Sequence, residues 1–468
     1  MVDLLPELVA EADEARYEIY YEIFLGGRFA QQIDALHQRY GPIVRINPFE
    51  IHISDPTFYD TLYNFDRRLE KHNVQHTGPY HQHNLRRRAL TQFLTPRAIQ
   101  RTEPLICLNI AELCRRLCEA HSSQQPASLS HLYRCMTADI ITTFTLGESY
   151  KLLQNPKDSE SFLQAFAFSF RLLWLLREIP YLSIAVRWAG KTLGRWLRAD
   201  WVLATLLRWQ WAIDTQLDDL QNDRTDGKGL SSIISLYLSN NLPPHEKTTQ
   251  HLHDTVNMLL AAGFETTGFT LTTATYHILA NSAILSRLGQ ELHAGIPYPD
   301  HIPSWQELSR FPYLSAIIKE SLRLSLGASA RLPRVNSERE VSYGNWTIPK
   351  GTAISMSHTD LHYDKSVFPE PKIFKPERWL AGLESKGMEK YLVPFSRGGR
   401  KCMGEDLAYA ELYLTLATVF RKYDLQLYLT TLRDVEPARD FFVPAPEPGG
   451  NGLRVLVNQR QEENAPFT

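Results

Sequence analysis

The stretch Phe395-Ser-Arg-Gly398-Gly-Arg400-Lys-Cys402-Met-Gly404 presents one cysteine at the end of a glycine-rich loop and runs straight into a segment whose Leu407, Ala410, Leu414 and Ala417 recur at helical spacing. The pattern predicts Cys402 at or just before a helix N-terminus, where unpaired backbone N–H groups and the positive end of the helix dipole favour an anionic sulfur. Gly398 and Gly404 let the backbone turn and approach a flat object closely, and Arg400 adds a fixed cation beside it. The chemistry asked for is a metal-bound cysteine. Taken alone, the loop leaves zinc, iron–sulfur and redox chemistry open.

Three further groups could act with it. Glu320-Ser-Leu-Arg323 is an E-x-x-R among the apolar Ile317, Ile318 and Leu322, and residues at i and i+3 share a helix face, so the carboxylate and guanidinium can meet. Phe374-Lys-Pro-Glu377-Arg378-Trp379 offers Arg378 to close a triad with that pair. Ala262-Gly263-Phe264-Glu265-Thr266-Thr267 puts a glycine inside a helical pattern, at about 1 kcal/mol against alanine, beside paired threonines that are poor helix formers. A small residue there lets a flat ligand and a diatomic approach the helix, while a threonine hydroxyl next to a carboxylate can bend the helix, hold water and relay protons. Standing alone, the E-x-x-R fits any solvated helix and the glycine fits a helix-packing contact.

The elements that must hold these residues are mostly helical. Residues 41–63 carry strand signals, Ile43 to Ile46 and Ile51 to Ile53 flanking Asn47-Pro48-Phe49. From about 97 to 335 long amphipathic stretches follow the Thr95-Pro96 cap, and the proline-free run from His245 to Asn281 is the candidate central helix. Glu340 to Met356 reads as short strands with Gly344-Asn345 as a hairpin turn, His362 to Trp379 as a proline-rich meander, and Leu425 to Val457 as further strand pieces. The expectation is a mainly α fold with a minor β-sheet portion contributed by both ends, one domain over residues 1–468.

With 468 residues and 43% hydrophobic content the chain can bury a large core, and a net charge of −2 gives no global field for nucleic acid. The five cysteines, Cys107, Cys114, Cys118, Cys135 and Cys402, form no Cys-x-x-Cys pair and no zinc spacing, which fits a reducing compartment. No apolar run of about 18 residues appears, so no transmembrane helix is expected. Phe162 to Trp188, rich in Phe and Leu but broken by Arg171, Arg177 and Glu178, reads as an amphipathic surface lying on a bilayer, as a lid over an apolar cavity, or as ordinary core helices.

In this order the four groups resemble the cytochrome P450 family of heme-thiolate monooxygenases, from about residue 17 to 458. The cysteine loop carries F-x-x-G-x-R-x-C-x-G at each fixed position. The resemblance implies the single-domain cytochrome P450 fold, with heme b (iron protoporphyrin IX) between the central helix and the helix after the cysteine. It implies Cys402 as the axial thiolate, whose electron donation favours O–O cleavage. Thr266 and Glu265 become the residues that stabilise bound dioxygen and deliver protons, and Glu320, Arg323 and Arg378 the structural triad. Phe395 packs near the sulfur, while Arg400 and Arg334, rather than Arg331, pair with heme propionates. Where many members use a tryptophan and an arginine as propionate donors, this chain has His83 and Arg87 at the same i, i+4 spacing. The nearby His72, His76 and His81 read as surface residues of a mobile loop.

The N-terminal phrases Tyr17 to Gly27 and His37 to Pro48 look like fungal secondary-metabolism members similar to trichodiene oxygenase. The membrane anchor with which eukaryotic members normally begin is not seen before them, which implies an anchor lost or trimmed or a shortened gene product, and the expected place is cytoplasmic or peripheral at the family's endoplasmic reticulum surface. The family's topology places substrate near the loop Val74 to Gln82, Met258, Ala261 and Ala262, the turn Gly327 to Leu332 with Ser329, and the tail Phe441 to Val443 with Phe442. An apolar terpenoid or polyketide follows. Dioxygen is the co-substrate. No dinucleotide-binding G-x-G-x-x-G follows a strand, so electrons are expected from a separate NADPH-cytochrome P450 reductase docking where Arg397, Arg400 and Lys401 cluster. The rival readings are a heme-thiolate isomerase, dehydratase or peroxygenase, and a truncated heme protein without turnover.

Overall fold

The computed structural model describes residues 16–63, 69–71, 80–178, 180–193, 196, 202–221, 232–380 and 382–460. Its main helices are α1 (Phe29–Tyr40), α2 (Tyr80–Thr91), α3 (Pro96–Ser123), α4 (Leu129–Leu146), α5 (Pro156–Glu178), α6 (Pro180–Leu193), α7 (Val202–Gln221), α8 (Thr249–Leu279), α9 (Ser282–Gly295), α10 (Pro312–Ser325), α11 (His358–His362) and α12 (Glu405–Lys422). The strands are β1 (Ile43–Asn47), β2 (Glu50–Ile53), β3 (Leu69–Lys71), β4 (Ala127–Ser128), β5 (Arg334–Asn336), β6 (Val341–Tyr343), β7 (Trp346–Ile348), β8 (Ala353–Ser355), β9 (Tyr423–Leu427), β10 (Arg439–Phe441), β11 (Val443–Ala445) and β12 (Arg454–Gln459).

The central helix is α8, capped by the Thr248 hydroxyl, which accepts from the His251 N–H. It packs along α4 and also touches α7, α10 and α12. Two glycines allow the α4 contact. A Cβ on Gly263 would lie 2.6 Å from Ile141 Cγ1, and one on Gly268 would lie 3.1 Å from Arg134 Cγ. Gly263 therefore serves helix packing, and the expectation that it opens the helix to a ligand is corrected. α3 begins as its cap implies, with the Thr95 hydroxyl accepting from Ala98 N–H and Pro96 at the first turn, where a missing N–H costs nothing.

Chain segments from both ends build the sheets, as the strand signals imply. The larger has the order β1-β2-β8-β5-β3, with β2 and β8 parallel and its other pairs antiparallel. β12 pairs with β4 and β9, and β6 with β7 around Gly344, which sits at φ +54°. This larger sheet presents Arg334 at the start of β5.

The aromatic stretch splits into a buried part and an exposed part. Phe162 and Phe166 of α5 are buried, 5.7 and 5.1 Å from the Phe264 ring of α8. Ile184 and Trp188 of α6, each 65% exposed, carry apolar surface outward with Leu193 and Trp196. Among the described residues no helix is long and apolar enough to cross a membrane.

Candidate functional site

Backbone reversals set up the cysteine loop. Ser396 at φ +57° and Gly398 at φ +69° turn the chain into a short 3-10 segment, Gly398–Arg400, after which Cys402 N–H donates to the Phe395 carbonyl at 2.8 Å. Gly404 is the N-cap of α12 at φ −89°, so its value is not a left-handed turn, and its N–H is directed at the Cys402 sulfur. The Phe395 ring packs on Tyr409, centroids 5.3 Å apart.

The sulfur keeps an open face, yet the protein around it desolvates the thiol and pushes it above the ordinary range; the Gly404 N–H and the Arg87 and Lys401 charges pull the other way without prevailing. A metal cation bound to such a cysteine favours its thiolate form. Among the described residues no group of three His, Cys, Asp or Glu could hold a metal ion. A metal taking this single thiolate has to bring its other ligands with it.

Two cations beside the loop have no carboxylate partner among the described residues. Arg87 of α2 donates from Nη2 to the Lys401 carbonyl at 2.6 Å. Arg334, 3% exposed, donates from Nη1 only to the Leu332 and Pro333 carbonyls and lies 4.8 Å from the Tyr63 ring. Tyr63 packs on Tyr59, whose hydroxyl donates to Ser396 Oγ at 3.3 Å, so Arg334 joins the cysteine loop through two aromatic side chains. Desolvation lowers both guanidinium pKa values, as burial without a counter-ion must. Arg331, by contrast, is already taken by Glu18 at 2.5 Å and Glu50 at 2.9 Å. Arg400 is half-buried on the 3-10 turn. His83 is one turn before Arg87 on α2, but its side chain lies outside the described residues, as do His72, His76 and the loop Val74 to Pro79. A lone thiolate with guanidiniums awaiting anions suits the iron and propionates of heme b.

Glu320, Arg323 and Arg378 come together in a buried cluster. Arg323 donates Nε and Nη2 to the two Glu320 oxygens at 2.9 and 2.8 Å, and Arg378 Nε reaches Oε1 at 3.1 Å. Sequence reasoning missed three more partners. Trp379 Nε1 and the Lys375 N–H also donate to Glu320, at 2.9 and 3.0 Å. His362 donates from Nδ1 to the Arg323 carbonyl at 3.0 Å and accepts the Val393 N–H at Nε2 at 2.9 Å. Burial holds His362 neutral, so this relay runs from α10 to the strand of chain entering the cysteine loop.

On α8, Met258 is 45% exposed, Ala262 is exposed and Thr266 is half-buried. The Thr266 hydroxyl donates to the Ala262 carbonyl at 2.8 Å and the helix continues unbroken. Glu265 points instead to α4, where Arg134 Nε binds both its oxygens at 2.8 and 3.0 Å. No local signal marks Arg134; it lies more than a hundred residues away. Ser329 is 6% exposed and its hydroxyl donates to Asp440 at 2.9 Å, while Phe442 is half-buried. In the basic cluster Arg397 binds Asp60 at 2.5 Å and Lys401 binds Glu405 at 3.0 Å.

The family model described as cytochrome P450 matches residues 50–449. The chain is 34% identical to a cytochrome P450 monooxygenase of Sordaria araneosa, covering 94% of this chain and 90% of that one. It is 36% identical to an N-acetyltryptophan 6-hydroxylase of Emericella nidulans, over 95% and 90%, and 35% identical to a tryptophan 6-hydroxylase of Fusarium equiseti, over 95% and 90%.

Proposed function

The chain belongs to the cytochrome P450 family, which binds heme b and whose members similar to it are fungal monooxygenases, and on that footing we propose that it inserts one oxygen atom into a largely apolar natural product. The observation that carries the site assignment is the lone loop cysteine, Cys402, with Arg87 and Arg334, two cations that have no carboxylate partner among the described residues. When bound, heme b supplies the redox chemistry that activates dioxygen. Cys402 provides the thiolate, Arg87, Arg334 and Arg400 hold the propionates with His83, and Phe395 backs the loop. The buried set around Glu320, Arg323 and Arg378 keeps the loop in place.

Thr266 and Glu265 manage protons at the α8 wall in this reading. The Thr266 hydroxyl, parked on the Ala262 carbonyl, can turn to donate into the site, and Glu265 can resupply it once its bond to Arg134 loosens. Met258, Ala262 and Phe442 form apolar walls, suited to a terpenoid, a polyketide or an indole like those of the named relatives. Ser329 enters through Asp440 rather than as a free hydroxyl. Electrons come from an NADPH-cytochrome P450 reductase, and the exposed apolar side chains of α6 support peripheral contact with the endoplasmic reticulum membrane.

The test is turnover of a candidate-precursor panel with NADPH, reductase and heavy-isotope dioxygen. One labelled oxygen in the product is expected. Product that forms without dioxygen, or without label, would favour the isomerase, dehydratase or peroxygenase reading.

A further inference from the structure

The turn Gly327–Leu332 is suspended at three points. At its start, a Cβ on Gly327, φ +66°, would lie 2.9 Å from the Pro394 carbonyl oxygen, so the turn rests on the backbone leading into the cysteine loop. At its far end Arg331 is gripped by Glu18 and Glu50. Between them Ser329 Oγ donates to Asp440 Oδ1 at 2.9 Å.

That same carboxylate oxygen accepts the Phe442 N–H at 2.8 Å. Phe442 is the single residue between the paired Phe441 and Val443, and its φ of +74° is left-handed. Such a conformation costs a bulky residue about 1 to 3 kcal/mol and persists only where its surroundings enforce it. The Asp440 backbone is itself fixed. Its N–H donates to the Gly27 carbonyl at 2.9 Å, and a Cβ on Gly27 would lie 2.4 Å from its carbonyl oxygen. β11, directly after Phe442, packs against α8.

We propose that Asp440 is a specificity-setting positioning residue, whose single oxygen locks the Ser329 turn and the Phe442 tip into one wall beside the central helix. The proposal rests on the heme-site reading above. Without the latch, the turn and the hairpin move independently, and the wall loses its fixed apolar surface for the part of a ligand remote from the iron. Neither Asp440 nor Ser329 is bonded to Cys402, and the methyl ligand below controls for any change at the iron itself.

The experiment titrates heme-loaded protein spectrally with 1-methylimidazole and 1-octylimidazole, which share a ligating nitrogen and differ in the tail that reaches the walls. Asp440→Ala should weaken the octyl ligand relative to the methyl ligand by about five-fold or more, and Ser329→Ala, which leaves the hairpin intact, should shift the ratio the same way by about two-fold or more. Asp440→Asn keeps an acceptor oxygen and should stay within about two-fold of the native ratio. An unmoved ratio in both alanine variants, or an asparagine variant that behaves like alanine, overturns the proposal. The native protein's own spectral response to 1-methylimidazole reports on the heme reading separately.

Discussion

At the scale of single residues, position decides which groups are free to react. Thr266 sits half-buried on α8, and among the described residues its hydroxyl bonds only to the Ala262 carbonyl. Thr266→Ala should therefore preserve heme binding while lowering product formed per NADPH consumed by about ten-fold, within the range for losing a positioned proton donor; full coupling would remove Thr266 from the proton path. Asp440 gives a pH signature. Burial pushes its carboxyl up to about 6, against the Ser329 hydroxyl, the Phe442 N–H and the Arg331 charge, from an ordinary 3.8. A raised acid binds its proton more tightly folded than unfolded, so stability falls as pH rises between these two values and the loss is complete above the upper one. Asp440→Asn removes that loss, worth about 3 kcal/mol at most. Its Tm gain should be larger at pH 8 than at pH 4; a gain independent of pH would mean that the charge carries no such cost.

At the scale of elements, the site depends on how closely α4 and α8 approach. Gly263→Ala places a methyl 2.6 Å from Ile141 Cγ1. Overpacking of that kind costs about 1 to 3 kcal/mol, more than the helix propensity gained. Urea unfolding should show the loss, and Ile141→Ala in the same chain should recover part of it; a stabilised single variant would contradict the packing role. Such contacts also mark where the sequence stops being legible. The cysteine loop, the E-x-x-R, the central helix and the Gly344 hairpin were readable because each signal is local: a cap, a period, a turn residue. Arg134 on Glu265, Trp379 on Glu320, His362 on Val393 and Asp440 on Ser329 join distant segments. Their residue types alone name no partner. Gly263 was ambiguous for the same reason, since the side chain that needs its missing Cβ lies on another helix.

At the scale of the whole molecule, Ile184, Trp188 and Leu193 of α6 face outward while Phe162 and Phe166 of α5 close over α8. A surface that carries Ile184, Trp188, Leu193 and Trp196 suits shallow insertion into lipid. Ile184→Asp with Trp188→Asp should lower co-flotation with phospholipid vesicles by about ten-fold; unchanged flotation would assign membrane contact elsewhere. The central claim is that the molecule is assembled around one cysteine and a heme, with Cys402 as its thiolate. The most direct measurement is the absorption spectrum of the reduced, carbon-monoxide-bound protein beside its Cys402→Ser variant. The account expects the long-wavelength Soret band of thiolate ligation in the native protein and its loss in the variant. A folded, heme-loaded native protein without that band, or a serine variant that keeps it, would contradict the account.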